Sequence, residues 1–279
     1  MSTTAPRVWF ITGCSTGFGR ALAEQVLQAG DRLIATARHP ETLAPLSAAG
    51  PDRVRTFALD VTDAATVASV VAEAGAVWDR LDVVVNNAGY GLIGAVEECT
   101  SDQIRRCLET NFHGPLNVLR AVLPRLRAQK SGHLINISAA AAIANYAGFG
   151  AYGAAKAALE ALSDSVRAEV ALLGIKVTLV QPGPFRTDFI GRSLERASTT
   201  LPDYARTAGK FAAFLRSIDG QQPGDPLRAA AAIVKLVHDG KAPARLPLGK
   251  YVTRKIRDRA ATMLREVDEW EAVAVAADY

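Results

Sequence analysis

Arg7-Val8-Trp9-Phe10-Ile11-Thr12-Gly13-Cys14-Ser15-Thr16-Gly17-Phe18-Gly19 is the stretch whose reading decides the fold. Through Thr12 it is a short apolar, β-rich run, the kind that makes a strand buried on both faces of a parallel sheet. A glycine turn ends the run and opens RALAEQVLQAG, in which Leu22, Val26 and Leu27 recur at helical spacing and Gly30 marks the end. Strand, glycine turn and helix together form a phosphate-binding arrangement. Glycines let the backbone approach a pyrophosphate, and a helix N-terminus presents free N–H groups and the positive end of its dipole. The spacing is G-x-x-x-G-x-G rather than the more familiar G-x-G-x-x-G, and a merely structural turn is the plain alternative.

Outward from this unit the pattern repeats. Asp31 to Ala37 is a second strand, followed at once by Arg38. An acidic residue at that strand end favours NAD, whereas an arginine can pair with the extra phosphate of NADP. With Thr36-Ala37-Arg38 and no carboxylate, NADP(H) is the expected cofactor, against the alternative of an exposed surface arginine. A helix is expected near Pro40 to Ala49, then a strand ending at Asp60-Val61. Asp60 is placed to meet an adenine edge, or to serve as a turn or N-cap residue ahead of a helix over Thr62 to Asp79. The strand Leu81 to Val85 runs into Asn86-Asn87-Ala88-Gly89, at the strand ends where α/β sheets bind ligands. Asn87 alternatively ties neighbouring strands together. A long amphipathic stretch, Ser101 to Ala128, carries Asn111, a poor helix former of the kind that distorts a helix or binds water. His133 to Ser138 and IKVTLVQ (Ile175 to Gln181) complete a doubly wound parallel sheet of Rossmann type in one α/β domain.

Tyr152-Gly153-Ala154-Ala155-Lys156 opens an alanine-rich segment running to about Leu173. On a helix Tyr152 and Lys156 share one face. A free tyrosine is a poor acid and base near neutral pH, since its pKa is about 10, and a cation beside it stabilises the phenolate. The pair is therefore a candidate proton-transfer site, against a chance pair on a solvated face.

Composition is that of an ordinary globular chain: 279 residues, 49% hydrophobic, 22% charged, net charge +4. No apolar run reaches the length of a membrane span, and Met1 to Pro6 lacks the features of a signal peptide, so a cytoplasmic location is expected. Cys14, Cys99 and Cys107 have no CxxC spacing, and neither a disulfide framework nor a metal site is suggested. The basic residues between Lys250 and Arg265 interleave with acids as on a solvated helix, which makes nucleic acid an unpromising partner.

TGCSTGFG, NNAG, NFHG, YGAAK and PGPFRT, in that order and at compatible spacing over Arg7 to about Phe189, resemble the short-chain dehydrogenase/reductase family. The wording around them looks most like the branch with hydroxysteroid and retinol dehydrogenase-like enzymes. The resemblance implies an NADP(H)-dependent oxidoreductase that interconverts a ketone or aldehyde and an alcohol by hydride transfer. Tyr152 would be the general acid/base, Lys156 would lower its pKa and hold the nicotinamide ribose, and Asn111 would bind a water in the proton relay. Gly13, Gly17 and Gly19 would line the pyrophosphate, with Ser15, Thr16 and Phe18 in the same turn. Asp60 and Val61 would flank adenine, Asn87, Ala88 and Gly89 would border the cofactor, and Pro182, Gly183, Phe185 and Thr187 would enclose the nicotinamide. The serine that steadies the substrate oxygen falls, in the family, at the position held here by Ala139, with Ser138 one residue earlier. Either the loop brings Ser138 to the site, or the oxygen has lost a donor, since side chains alternate along a strand.

Residues 188–279 form the variable, substrate-binding and C-terminal region in this resemblance. Phe211, Phe214 and Leu215 at helical spacing suit a lid helix over an apolar carbonyl or alcohol substrate, or else core packing. Pro226 to Asp239 is a further helix, and Trp270 lies on a last one, beyond Arg245-Leu246-Pro247-Leu248-Gly249. Family members pair across the helices around Asn111 and Tyr152, which implies a homodimer or homotetramer. The competing function is a nucleotide-cofactor-binding regulatory protein with little turnover.

Overall fold

The computed structural model describes residues 5–279. Its first unit is β1 (Val8–Ile11), the glycine turn and α1 (Gly17–Gln28). All four β1 side chains are fully buried: Val8 and Phe10 point to one side of the sheet, Trp9 and Ile11 to the other. Each gains about 1.5–3 kcal/mol by leaving water, which is why so short a run holds the middle of the sheet. Asp31 anchors its start: the buried carboxylate accepts the Arg7 N–H (3.0 Å), the Trp9 indole N–H (2.8 Å) and the His238 ring N–H (2.7 Å).

The chain continues through β2 (Arg32–Ala37), α2 (Ala44–Ala49), β3 (Val54–Ala58), α3 (Ala64–Val77), β4 (Val83–Asn86), β5 (Gly91–Ile93), α4 (Ser101–Leu108), α5 (Gly114–Gln129) and β6 (Gly132–Ile137). It then runs through α6 (Ala140–Ile143), α7 (Gly150–Glu169), β7 (Ile175–Pro182), β8 (Leu194–Arg196), α8 (Lys210–Ser217), α9 (Pro226–His238), β9 (Arg245–Leu248) and α10 (Lys250–Val275). Seven strands form one sheet in the order β3-β2-β1-β4-β6-β7-β9, each neighbouring pair parallel. Helices α1 and α9 pack on one face; α3, α5 and α7 cover the other. This is the doubly wound sheet expected, as a single domain.

Three differences have local causes. The helix after β3 is capped by Asp63, whose carboxylate accepts the Ala65 and Thr66 N–H groups, so it starts at Ala64 and not at Thr62. Arg245–Leu248, which carries no strand signal because of Pro247, is the edge strand β9 beside β7, a place where a missing N–H is tolerated. The long amphipathic stretch is two helices joined by a π turn, Glu109–His113, with Asn111 inside it. β5 and β8 form a separate two-stranded parallel pair. Among the described residues no helix is long and apolar enough to cross a membrane.

Candidate active site

The strand order reverses direction at β1 and β4, and the crevice at their carboxyl ends is where open α/β sheets take ligands. Thr12, just past β1, holds its two walls together. Its hydroxyl donates to the Val85 carbonyl (3.3 Å) and accepts the N–H groups of Asn87 (2.9 Å) and Ala88 (3.0 Å). The Asn87 amide donates back to the carbonyls of Thr12 (2.9 Å) and Gly13 (3.0 Å), so this side chain ties the β4 end to the glycine turn. Gly13 has φ 73°, a left-handed conformation that favours glycine. A Cβ on Gly19 would lie 2.3 Å from both the Gly13 oxygen and the Asn87 amide nitrogen. The turn is therefore shaped by what it must keep out.

At the start of α1, Thr16 has an extended backbone but makes no side-chain cap, and no acidic residue occupies the first turn. The opening N–H groups and the dipole are left to an anion, which is what a dinucleotide's pyrophosphate offers. Thr187 stands 3.6 Å from where a Gly17 Cβ would be, and the Phe18 ring meets Phe185 edge to face at 5.8 Å. The end of β7 at Pro182 and the loop after it, with Gly183, Phe185 and Thr187, thus close over the glycine turn, and the Gly183 N–H is fixed to the Leu248 carbonyl of β9 (3.0 Å).

Farther out, Arg38 is exposed at the end of β2 and makes no ion pair or side-chain hydrogen bond among the described residues. Asp60 is exposed too, with one carboxylate oxygen accepting the N–H (2.9 Å) and hydroxyl (2.7 Å) of Thr62. Val61 is buried against Gly114, and its carbonyl accepts the Asn117 amide (3.0 Å). Arg38 and Asp60 are thus the exposed side chains at these strand ends, and Val61 is buried.

Tyr152 and Lys156 are both buried on α7. The Lys156 ammonium lies 5.9 Å from the Tyr152 ring centroid and donates to the Ile137 carbonyl (2.9 Å). Burial pulls the Lys156 pKa down to about 8, partly offset by Cys107. Burial, with a smaller push from Cys107, raises the Tyr152 phenol well above its ordinary range. This departs from the expected lowering by the lysine. In the protein by itself, loss of hydration outweighs an ammonium held at ring distance.

Asn111 is fully buried because the π turn swings it inward. Its amide donates to the carbonyls of Tyr90 and Cys107, both at 2.9 Å, while its oxygen has no partner in the protein. A Cβ on Gly89 would lie 2.6 Å from that oxygen and 3.5 Å from the Lys156 nitrogen. Asn111, Lys156 and Gly89 therefore converge, and the free acceptor is a suitable seat for a bridging water.

The placing of Ser138 is corrected. Its buried hydroxyl donates to Glu160 (2.6 Å), on the α7 side of the sheet, two helical turns beyond Tyr152. Glu160 also accepts the Gln181 amide (2.8 Å), and Arg245 lies 3.4 Å away. Ala139 instead packs in the apolar cluster that contains Tyr152. The alternation of side chains decided this: β6 sends Asn136 and Ser138 toward Ser163 and Glu160 of α7, and the next residue faces the crevice.

The wall beside Tyr152 is aromatic. Phe149 (5.2 Å between centroids) and Phe189 (5.7 Å) contact its ring, and Phe211 stacks on Tyr146 (4.9 Å) and meets Phe149 edge on (5.1 Å). Phe211 and Leu215 of α8 face this cluster, whereas Phe214 is 53% exposed. Phe149, Phe189 and Tyr146 were missed in the sequence; each sits in a loop or helix start with no periodicity to single it out.

Residues 7–197 match the family model for short chain dehydrogenase. An oxidoreductase designated BOA17, from Botryotinia fuckeliana, is 39% identical over 272 residues, 97% of this chain and 98% of that protein. The 3-ketodihydrosphingosine reductase of Bacteroides thetaiotaomicron is 34% identical over 250 residues, 88% and 89% of the two chains. Among solved structures, a short-chain dehydrogenase from Streptomyces avermitilis superposes with a TM-score of 0.91 at 42% identity, over 98% of this chain and 100% of that one. A Burkholderia phymatum member of the family in complex with NAD shares the fold (TM-score 0.83, 20% identity, 95% and 97% covered). ElxO with NADP bound also matches (TM-score 0.72, 25% identity, 87% and 97% covered). A match over so much of the chain, to enzymes and to this crevice's architecture alike, means that the protein belongs to the short-chain dehydrogenase/reductase family and is an oxidoreductase of CH–OH groups that uses a nicotinamide nucleotide.

Proposed function

We propose that the protein is an NADP(H)-dependent reductase of an apolar ketone or aldehyde, with Tyr152 as the proton donor. The observation that carries this is the convergence of Tyr152, Lys156 and the unpartnered Asn111 oxygen beside a crevice whose glycine turn and free α1 N-terminus suit a pyrophosphate. The nicotinamide supplies or accepts the hydride. Tyr152, kept protonated by burial, gives its proton to the carbonyl oxygen, and the Asn111 oxygen holds a water through which Lys156 restores it. Gly13, Ser15, Thr16, Gly17, Phe18 and Gly19 cradle the pyrophosphate, and Asn87, Ala88 and Gly89 border the nucleotide from β4. Asp60 and the Val61 backbone meet adenine. Pro182, Gly183, Phe185 and Thr187 close over the nicotinamide. The unpaired Arg38 takes the extra phosphate, which sets NADP(H) above NAD(H); the relatives with bound nucleotide include both kinds.

The rings of Phe149, Phe189 and Phe211 around Tyr152 favour an apolar substrate, and one relative is named as a 3-ketodihydrosphingosine reductase. Residues 188–279 choose it, with α8 as the lid, and the enzyme works in the cytoplasm as a homo-oligomer paired across α4, α5 and α7. The test is a panel of carbonyls and alcohols assayed with NADPH and NADH in parallel, with Tyr152→Phe as the blank. Turnover of an apolar ketone with NADPH, lost in the blank, is expected; equal rates with NADH would overturn the cofactor assignment.

A second reading rests on Ala139. Without a hydroxyl there, Tyr152 is left as the donor to the substrate oxygen, and the fold could serve as a nucleotide-binding regulator with little turnover. NADPH binding without oxidation across the whole panel would favour it.

A further inference from the structure

α10 is the last element and most of it touches nothing. Its first turns are fastened: Val252 is fully buried, the Tyr251 hydroxyl is 2.7 Å from that of Tyr146, and the Lys255 ammonium lies 5.0 Å over the Tyr146 ring. From Arg257 onward every residue except the half-buried Thr262 is exposed. At about 100° per residue, Ala260, Met263, Leu264, Val267, Trp270 and Ala274 fall on one stripe. Four of these are large and bare: Met263 (50% exposed), Leu264 (66%), Val267 (61%) and Trp270 (59%).

The charges along the helix are segregated by half. Lys250, Arg254, Lys255, Arg257 and Arg259 stand in the first ten residues with Asp258 as the lone acid. Glu266, Asp268, Glu269, Glu271 and Asp278 follow, and no lysine or arginine lies beyond Arg265. Arg257 flanks the stripe on the same side as Asp268 and Glu271, and Arg259 flanks it on the same side as Glu266. Within one helix only weak contacts join the two halves, such as Arg259 to Glu266 at 4.0 Å.

We propose that the exposed face of α10 is a pairing surface for α10 of a second copy of this chain, packed antiparallel about a two-fold axis near Met263 and Leu264. In that arrangement like sides of the two helices meet, so Arg257 of each copy faces the Asp268 and Glu271 side of the other, and Arg259 faces Glu266. Val267 covers Ala260 of the other copy. Parallel pairing would set cations on cations and acids on acids. An anionic lipid surface would be repelled by the acidic half, which borders the same stripe. A two-fold contact is self-complementary, and a helix with opposite charge on its two halves meets that condition only when reversed on itself. This surface is separate from the crevice and stands whether or not the proposed reaction is right.

Particle mass of the full-length protein, measured by light scattering on a sizing column, reads the contact. Val267→Glu, and separately Arg257→Glu with Arg259→Glu, are expected to halve the mass; adding Glu266→Arg and Glu271→Arg to the second variant should restore it. Leu264→Cys should cross-link to its own copy under mild oxidation, while Trp270→Cys, far from the axis, should not. All these positions are exposed, and an unchanged far-ultraviolet circular dichroism spectrum at room temperature confirms that each variant folds. An unchanged mass in both dissociating variants with no cross-link at Leu264 would overturn the proposal. So would equal cross-linking at both positions, which means parallel helices. Co-sedimentation with phosphatidylglycerol vesicles that Val267→Glu abolishes without changing mass would assign the face to a membrane and overturn it too.

Discussion

At the carboxyl ends of β1 and β4, polar groups hold one another: Thr12 makes three hydrogen bonds across the crevice and the Asn87 amide makes two back. Across from Tyr152, the wall from Phe189 to Ile218 is joined by ring contacts and apolar packing, and α8 has no fully buried residue. A directional network admits few substitutions, because each lost partner strands another buried group. Ring packing in a half-exposed wall tolerates many. The first region suits a constant ligand and the second a variable one, which fits one fold serving many substrates.

If that contrast is right, changes at the crevice act on nucleotide and rate, and changes at the wall act on substrate affinity alone. Tyr152→Phe should lower kcat by about 10²–10⁴-fold, the range for losing a general acid, with NADPH affinity retained. Arg38→Asp should weaken NADPH binding by roughly 10²-fold, as expected for a lost charge-assisted contact, and leave NADH binding unchanged or tighter, since a carboxylate at this strand end favours NAD; fluorescence titration of the two cofactors reads this. Gly19→Ala forces a methyl group to 2.3 Å from Gly13 and Asn87 and should cost roughly 10–100-fold in nucleotide affinity together with a lower melting temperature.

Lys156 is charged below about pH 8 and neutral above it. On the proposed mechanism, reduction uses the protonated forms of both Tyr152 and Lys156, and burial keeps the phenol protonated over this range. The kcat/KM for reduction should therefore be flat on the acid side and about tenfold lower at pH 9 than at its plateau. A plateau extending past pH 10 would remove Lys156 from the relay. The smallest effect belongs to the wall: Phe211→Ala should raise KM for an apolar ketone roughly 2–10-fold and leave the dissociation constant for NADPH untouched.

Much of this was legible in the chain because it rests on local rules. The strand-turn-helix of Arg7 to Gly30, the alternation of strands and helices, and the Tyr152/Lys156 spacing follow from burial, glycine and periodicity within short windows. What escaped has a common cause. Pro247 hides β9 because a strand lacking an N–H is acceptable only at an edge, and being at an edge is not a local property. Tyr146 and Phe149 come from the loop before α7 and Phe189 from the segment after β7, and they meet only when β6, α7 and that segment are assembled.

By itself the sequence determined the parallel sheet, the glycine turn that ends its first strand and the helix that carries Tyr152, since buried runs and glycines leave few topologies open. The tertiary structure alone decided where Ser138 points. One residue of register separates a hydroxyl in the crevice from one buried on Glu160, and only packing β6 against α7 settles which. It also decided that burial, not the neighbouring lysine, governs the Tyr152 phenol, because desolvation is a sum over every group around the ring.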